Sequence, residues 1–291
     1  MTPRYPLTVP EPALRNISDT ALWVAMYRAQ ETERPDALFR DPFARRLAGE
    51  RGEELLRLLS RAAEGRSWPF VTRTVVIDRF IEERVRQGTD LVLNLAAGLD
   101  ARPYRMALPP SLRWVEVDLP ALVADKEHIL RDEKPSCVLE RIALDAADVE
   151  ARRQLFARLG REARSGLVVT EGLLIYLTAT QVGALATDLA AAGGFRHWIL
   201  DISSPGLKKM IEKQIGAQLS QASAPLQFAP EEGPAFFAPY GWEVEEVRST
   251  IKEARRLGRL SAFLRLLSLL PDPKGRQGNR PWAGLCLLRR G

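Results

Sequence analysis

The chain of 291 residues holds only two histidines, His128 and His197, and two cysteines, Cys137 and Cys286. That leaves little material for a histidine metal centre or a serine–histidine–acid triad, and too little for a zinc cluster or a disulfide framework. No apolar run approaches the roughly 20 residues of a membrane-spanning helix. The opening stretch MTPRYPLTVPEPALRN lacks a signal-peptide core. Internal repeats and low-complexity tracts are missing as well. What is present is ordinary for a globular protein, with 46% hydrophobic and 27% charged residues. Disorder and collagen-like repeats are therefore excluded for the chain as a whole. The length suffices for one large α/β unit or two smaller ones. The low thiol content suits a reducing compartment, and a soluble cytoplasmic protein is expected.

Charge is unevenly spread. The formal total is +5, yet residues 252–291 carry ten basic side chains against Glu253 and Asp272, a local +8 that leaves the remainder near −3. Such a cluster suits an anionic acceptor, a phosphate or an acidic carrier protein, and reads first as a solvated helix face. It has no aromatic interleaving and no groove-binding motif, so nucleic acid is not an expected partner. Nor is a membrane.

The first ninety residues read as helical. Asp41-Pro42 is a helix start by its N-cap carboxylate and its proline at the first helical position. Residues 68–87 carry Ile77, Phe80, Ile81 and Val85 as a helical apolar stripe ended by Gly88. The pattern then changes. LVLNL (91–95), WVEVDL (114–119), VLERIAL (138–144), GLVVTEG (166–172), HWILDI (197–202), WEVEEV (242–247) and WAGLCLL (282–288) read as strands. The first five alternate with helical or mixed connections, such as residues 178–192, which implies a mostly parallel sheet covered on both faces. Two connections are long. Residues 203–240 contain a helical piece around 207–219, and residues 248–281 hold most of the basic cluster. There Leu260, Phe263, Leu264, Leu267 and Leu270 share helical spacing, which suits a core-facing helix or, more sharply, a substrate lid.

The chemistry-bearing stretch is LVLNLAAGLDARPYR, followed twenty residues after Gly98 by Asp118. A dinucleotide-binding turn wants three glycines so that backbone can approach a pyrophosphate. Ala96, Leu99 and Ala101 stand among the relevant positions, which argues against NAD. An adenosyl cofactor without phosphate asks less: one close backbone approach and one acid for the ribose hydroxyls. S-adenosylmethionine meets both demands, although a tight turn and a strand end would account for the same two residues.

The order NLAAGLDARPYR, VEVDLP, TEGLLIYLT, behind the prelude TALWVAMYRAQETERPDALFRDPFARRLAG, resembles the leucine carboxyl methyltransferase-like family of S-adenosylmethionine-dependent enzymes, in particular its bacterial branch. The matches run from about Ser18 to Asp201. The resemblance implies the α/β class I methyltransferase fold, Rossmann-like, with seven strands of which the last is antiparallel. It implies one unit with a helical extension (1–88), a cofactor core (89–202) and acceptor-side insertions with the last two strands (203–291).

By the same resemblance Gly98 and Ala96 belong to the cofactor turn, Asp118 meets the ribose, and Arg73 grips the cofactor carboxylate with its paired fork. Asp145 and Ala146 meet the adenine, with a smaller residue at 146 than the family usually has. Glu171 faces the cofactor ammonium. Arg28, Tyr104 and Tyr176 are candidates for the acceptor side, while Asp100, Arg105, His128 and His197 are set aside. A capping role suits Asp100, and nearby acids suit Arg105. The expected reaction is O-methylation of a carboxylate or acidic phenol, because an ionised oxygen needs no base. The family covers protein C-terminal carboxyl methylation and small molecules of polyketide type, and the prelude favours a small-molecule acceptor. Methylation at nitrogen and a non-enzymatic cofactor sensor are the alternatives.

Overall fold

The computed structural model describes residues 14–16, 18–60, 67–273 and 275–291, so Lys274 of the basic cluster lies outside the described residues. All seven expected strands form: β1 (Leu91–Leu95), β2 (Arg113–Asp118), β3 (Val138–Ala143), β4 (Gly166–Thr170), β5 (Phe195–Ser203), β6 (Trp242–Ser249) and β7 (Ala283–Arg290). They make one sheet in the order β3-β2-β1-β4-β5-β7-β6. The first five run parallel, and β7 is antiparallel to both of its neighbours, β5 and β6. This is the class I methyltransferase arrangement.

Central strands covered on both faces carry apolar residues on both faces. Leu91, Leu93 and Leu95 of β1 face one core with Leu155, Phe156 and Leu159 of α6 (Val149–Glu162) and Leu185 and Leu189 of α7 (Ala179–Ala191). Val92 faces the other core with Val76, Ile77, Phe80 and Ile81 of α3 (Trp68–Arg86). Each of these fully buried side chains contributes about 1.5–3 kcal/mol. Asn94 shares the Val92 face by strand alternation, which sets a polar group over α3 at the strand's carboxyl end. Two shorter helices, α4 (Arg102–Arg105) and α5 (Pro120–Leu130), complete the first half of the sheet's cover.

Local chemistry sets the helix ends. Thr178 and Gln181 form a reciprocal capping box at the start of α7. Gly88, at φ 99, follows the end of α3 as expected. The expected start at Asp41-Pro42 is corrected: α2 (Ala44–Ser60) begins two residues later. Asp41 is buried, and one oxygen accepts from the Arg28 guanidinium at 2.9 Å while the other accepts from the Phe43 amide at 3.2 Å. Its carboxylate is committed to a tertiary ion pair, and Pro42 and Phe43 form a turn.

Ahead of the sheet, α1 (Ser18–Thr32) packs on α2 and sends Trp23 and Tyr27 toward Phe70, whose ring stacks on Tyr27 at 5.0 Å. Beyond β5 comes α8 (Pro205–Gln221), capped by Ser204. The last connection holds α9 (Thr250–Arg256) and α10 (Ala262–Leu267). Leu260 is buried, but Phe263, Leu267 and Leu270 are 69%, 38% and 50% exposed, so α10 is not a core helix.

One packing contact depends on missing side chains. A Cβ on Gly160 would lie 2.1 Å from the Ala192 carbonyl oxygen, and one on Gly194 would lie 2.2 Å from the Gly160 oxygen. The end of α6 thus sits directly on the turn after α7. Gly160→Ala should destabilise the protein by about 1–3 kcal/mol through overpacking. The expected result is a lower urea midpoint, with cofactor affinity of the folded protein unchanged.

Candidate cofactor and acceptor site

Strand order reverses between β1 and β4, and in open α/β sheets the crevice at that reversal, beyond the carboxyl ends of the strands, takes the ligand. A cavity of about 1460 Å³ lies there among the described residues. It exceeds the roughly 300–1,000 Å³ that encloses one drug-sized ligand, leaving room for a cofactor and an acceptor together. Its walls divide by chemistry. Strand ends supply charge, while α1, the start of α3, α8 and α10 supply Trp23, Trp68, Phe70, Leu207, Met210, Ile211, Phe263 and Leu267.

The turn after β1 is tightly specified. Ala96 has φ 56 and Gly98 has φ 49, both left-handed. For alanine that conformation costs about 1–2 kcal/mol, a strain the surrounding bonds must hold. The Ala97 amide donates to the Val117 carbonyl at 3.1 Å, and the Gly98 amide donates to Asp118 Oδ2 at 2.6 Å. Asp118 Oδ1 accepts from its neighbour's amide, Leu119, at 2.7 Å. Backbone donors thus fix this carboxylate at the end of β2, beside the turn. A Cβ on Gly98 would sit 3.4 Å from that of Ala21, so α1 closes down on the turn. Farther along the wall, Asp145 accepts from the Ala147 amide at 2.8 Å, and the Ala146 carbonyl accepts from Arg152 at 2.8 Å.

Behind the turn lies a network of charges. Arg102, 2% exposed, donates to Asp78 at 2.6 Å, to Asp100 at 2.7 Å and to Glu171 at 2.8 Å. Asn94 donates to Asp100 at 2.8 Å, and Arg105 holds both oxygens of Asp78 at 2.7 and 2.8 Å. On the cavity side, Arg73 donates to Glu171 at 2.9 Å and reaches Asp201 at 3.3 Å. Asp201 also accepts from the Gly172 amide at 2.6 Å. Burial alone would raise the carboxyl pKa values of Asp100 and Glu171. The neighbouring guanidiniums, Arg102 first, more than offset it and hold both below their ordinary range. Burial would likewise lower the pKa of Arg73, but Glu171 and Asp201 hold it above the usual arginine value. Four carboxylates (Asp78, Asp100, Glu171, Asp201) face three guanidiniums (Arg73, Arg102, Arg105), so one negative charge is left over beside the cavity. That excess suits a cationic sulfonium. Gly172, at φ 69, leaves the space that a Cβ 3.2 Å from Arg73 would fill.

The structure brings Arg73, Ala96, Gly98, Asp118, Asp145, Ala146 and Glu171 around this one cavity. Arg28 and Tyr176 line it too, but Arg28 is spent on Asp41 and on the Leu99 carbonyl at 2.6 Å, so it props the Gly98 turn from behind. Tyr104 is a correction. It does not line the cavity; its ring packs on Phe43 at 5.6 Å and its hydroxyl accepts from Arg141 at 2.6 Å. Arg105 is indeed held by nearby acids. Asp100 does more than cap, since it joins Asn94 to Arg102. Asp201, Arg102, Asp78 and Asn94 were missed. Asp201 had a signal, because it is a strand-end acid like Asp118. Arg102 had none, because its partner Glu171 is 69 residues away. His128 is an exposed residue of α5, and His197 lies in β5, 3.4 Å from both Arg84 and Glu245; neither lines the cavity. Among the arginines expected to steer an acidic acceptor or carrier, Arg259 is bound to Glu31 at 2.7 Å and Asp36 at 2.8 Å, and Arg256 pairs with Glu253.

Comparison with known proteins agrees with this geometry. The sequence profile of the leucine carboxyl methyltransferase family matches residues 21–190. The chain belongs to that family. A relative from Streptomyces coelicolor, assigned as an S-adenosyl-L-methionine-dependent methyltransferase, is 32% identical over 87% of this chain and 90% of its own. One from Frankia alni with the same assignment is 34% identical over 78% of this chain and 82% of its own. Among solved structures, a DUF574 family protein from Streptomyces avermitilis shares the fold at a TM-score of 0.58 and 13% identity, covering 92% of this chain and 97% of that one. A Thermobifida fusca protein shares it at 0.57 and 15%, covering 99% of both. The protein is an S-adenosylmethionine-dependent methyltransferase, and the polar wall just described fits that cofactor.

Two outcomes follow from this geometry. Asp118→Ala should weaken binding of S-adenosylhomocysteine about 10- to 100-fold in titration calorimetry, the loss of one charge-assisted contact. The Asp100 and Glu171 carboxyls titrate below their ordinary values of 3.8 and 4.5, so their contribution to stability is complete above about pH 5 and is lost as pH falls through the folded values. The urea midpoint should therefore decline steeply on acidification below pH 4.5, and less steeply in Asp100→Asn.

Proposed function

We propose that this methyltransferase acts on an ionised oxygen, a carboxylate or an acidic phenolate, of a largely apolar small molecule. The supporting observation is the condition of the six carboxylates that face the cavity: Asp100, Asp118, Asp145, Glu171, Asp201 and Asp272. Each is already engaged. Asp118 and Asp145 accept from backbone amides, Asp100, Glu171 and Asp201 accept from guanidiniums, and Asp272 is paired with Lys252 at 2.7 Å. For Asp100, Glu171 and Asp272 the paired cations hold the carboxyl pKa below its ordinary value, which makes them poor proton acceptors. Burial pushes the Tyr176 pKa above its ordinary value, although Thr20 and Arg73 oppose the shift, so its phenol stays protonated there. Both histidines sit elsewhere. An acceptor that arrives ionised needs none of these groups as a base.

The chain's own residues then bind and align. In this reading Asp118 receives the ribose hydroxyls, the Gly98 turn admits the cofactor's backbone approach, and Asp145 with Ala146 borders the adenine. Arg73 offers its fork to the cofactor carboxylate, and Glu171 faces the ammonium. The cofactor supplies an electrophilic methyl on a sulfonium, a good leaving group. The protein's part is to hold the acceptor oxygen in line at a near-attack distance of about 3–3.5 Å. The apolar walls of α1, α8 and α10 exclude water and take the acceptor's hydrocarbon body.

A screen with methyl-labelled S-adenosylmethionine against lipophilic carboxylic acids, phenols and amines tests this reading. Label is expected in the acids and acidic phenols. The rate should follow the acceptor's own ionisation and level off above its pKa. Label confined to amines, or a pH profile that stays fixed when acceptors of different acidity are compared, would overturn it.

A further inference from the structure

The segment after α9 is unlike the rest of the surface. Residues 255–270, RRLGRLSAFLRLLSLL, hold four arginines, seven leucines, one phenylalanine and no acid. Globular proteins rarely leave such apolar content in water. Here Phe263, Leu266, Leu269 and Leu270 are 69%, 66%, 65% and 50% exposed. The segment is nonetheless anchored. Arg259 binds Glu31 and Asp36, and Leu260 and Ser268 are buried. The anchored segment holds its apolar side chains outward.

Those side chains fall into two sets. Phe263, Leu264, Leu267 and Leu270 line the cavity, and three of these four are also exposed to solvent, which places them at its rim. Leu266 and Leu269 do not line it and face away. Positive charge surrounds them. Arg255 has no side-chain partner among the described residues, the Arg256 side chain is 70% exposed, and Arg265 donates only to the Leu260 carbonyl at 3.1 Å. A basic, acid-free segment with protruding leucines has the composition of an interfacial element. A second copy of the chain fits poorly, because a two-fold contact would bring Arg255 and Arg265 of both copies together.

We propose that residues 255–270 dock on an anionic lipid surface. Leu266 and Leu269 enter the headgroup boundary, Arg255 and Arg265 meet lipid phosphates, and the cavity rim faces the bilayer. This departs from the expectation of no membrane partner. No helix among the described residues is long and apolar enough to cross a membrane, so the contact is one of surface docking. That a docked enzyme draws its acceptor from the lipid rests on the acceptor reading above; the docking itself does not.

Sedimentation with vesicles of phosphatidylcholine, alone or mixed in equal amounts with phosphatidylglycerol, tests the proposal without any acceptor. A failed acceptor screen therefore leaves this result standing. The parent protein should bind mixed vesicles at least about tenfold more tightly than phosphatidylcholine, and salt should weaken the binding. Leu266→Ser with Leu269→Ser should lower that affinity about tenfold or more. Arg255→Gln with Arg265→Gln should cost about fivefold per arginine on mixed vesicles only. Calorimetric binding of S-adenosylhomocysteine, unchanged in both variants, reports that they are folded. The proposal is overturned if the parent ignores both vesicles or if the folded leucine variant binds as the parent does. It is equally overturned if the parent forms a lipid-free dimer that the leucine variant abolishes, which would make a second copy the occupant.

Discussion

The site depends on the Arg102 guanidinium. One buried side chain joins α3 through Asp78, the turn after β1 through Asp100 and the end of β4 through Glu171. Removing one partner from a buried ion pair typically costs about 3–5 kcal/mol, because an unpaired charge is left in a low dielectric. Removing Arg102 would leave Asp100 with the Asn94 side-chain amide, and Asp78 and Glu171 with one guanidinium each. The network is therefore less a source of stability than a device for position: it sets Glu171, and through it Arg73, at fixed places on the cavity wall. For a reaction whose leaving group is already activated, fixed geometry is most of what a protein can add.

A division of labour follows within the cavity. The half built on strand ends is polar, saturated with hydrogen bonds and strained at Ala96, and it has little freedom to change shape. The half built on helices is apolar and meets its ligand through area rather than direction. Within the helical half, Arg259 fastens the α9–α10 connection to the carboxyl end of α1, bridging positions 228 residues apart. The helix that closes on the Gly98 turn and the exposed rim of the cavity are thereby tied to each other.

Much of this was legible in the sequence, and the reason is specific. Buried parallel strands such as LVLNL are continuous apolar runs, so the strand ends at which Gly98, Asp118 and Glu171 stand were legible locally, while the family resemblance singled these three out. The glycine after α3 was equally local. Orientation was not local. Tyr104 lies on a short helix whose rotation points it at Arg141, and Asp41 was drawn from a cap into a pair with Arg28. The spacing of Phe263, Leu264 and Leu267 announced a helix but not which side of it would meet protein. Arg102 looked like one arginine of two in ARPYR, because nothing in its neighbourhood names Glu171.

The two walls also differ in how they tolerate inherited change. In the apolar chamber one leucine, methionine or phenylalanine can replace another at a cost usually below about 1.5 kcal/mol, so each single step leaves a folded, cofactor-competent protein. In the charged wall a lone substitution at Asp78, Asp100, Arg102 or Glu171 strands a neighbour, and a viable change needs two coordinated steps. The helical wall can therefore change residue by residue, whereas the charged wall changes only in matched pairs, so drift in the cavity's shape is channelled to one side of it.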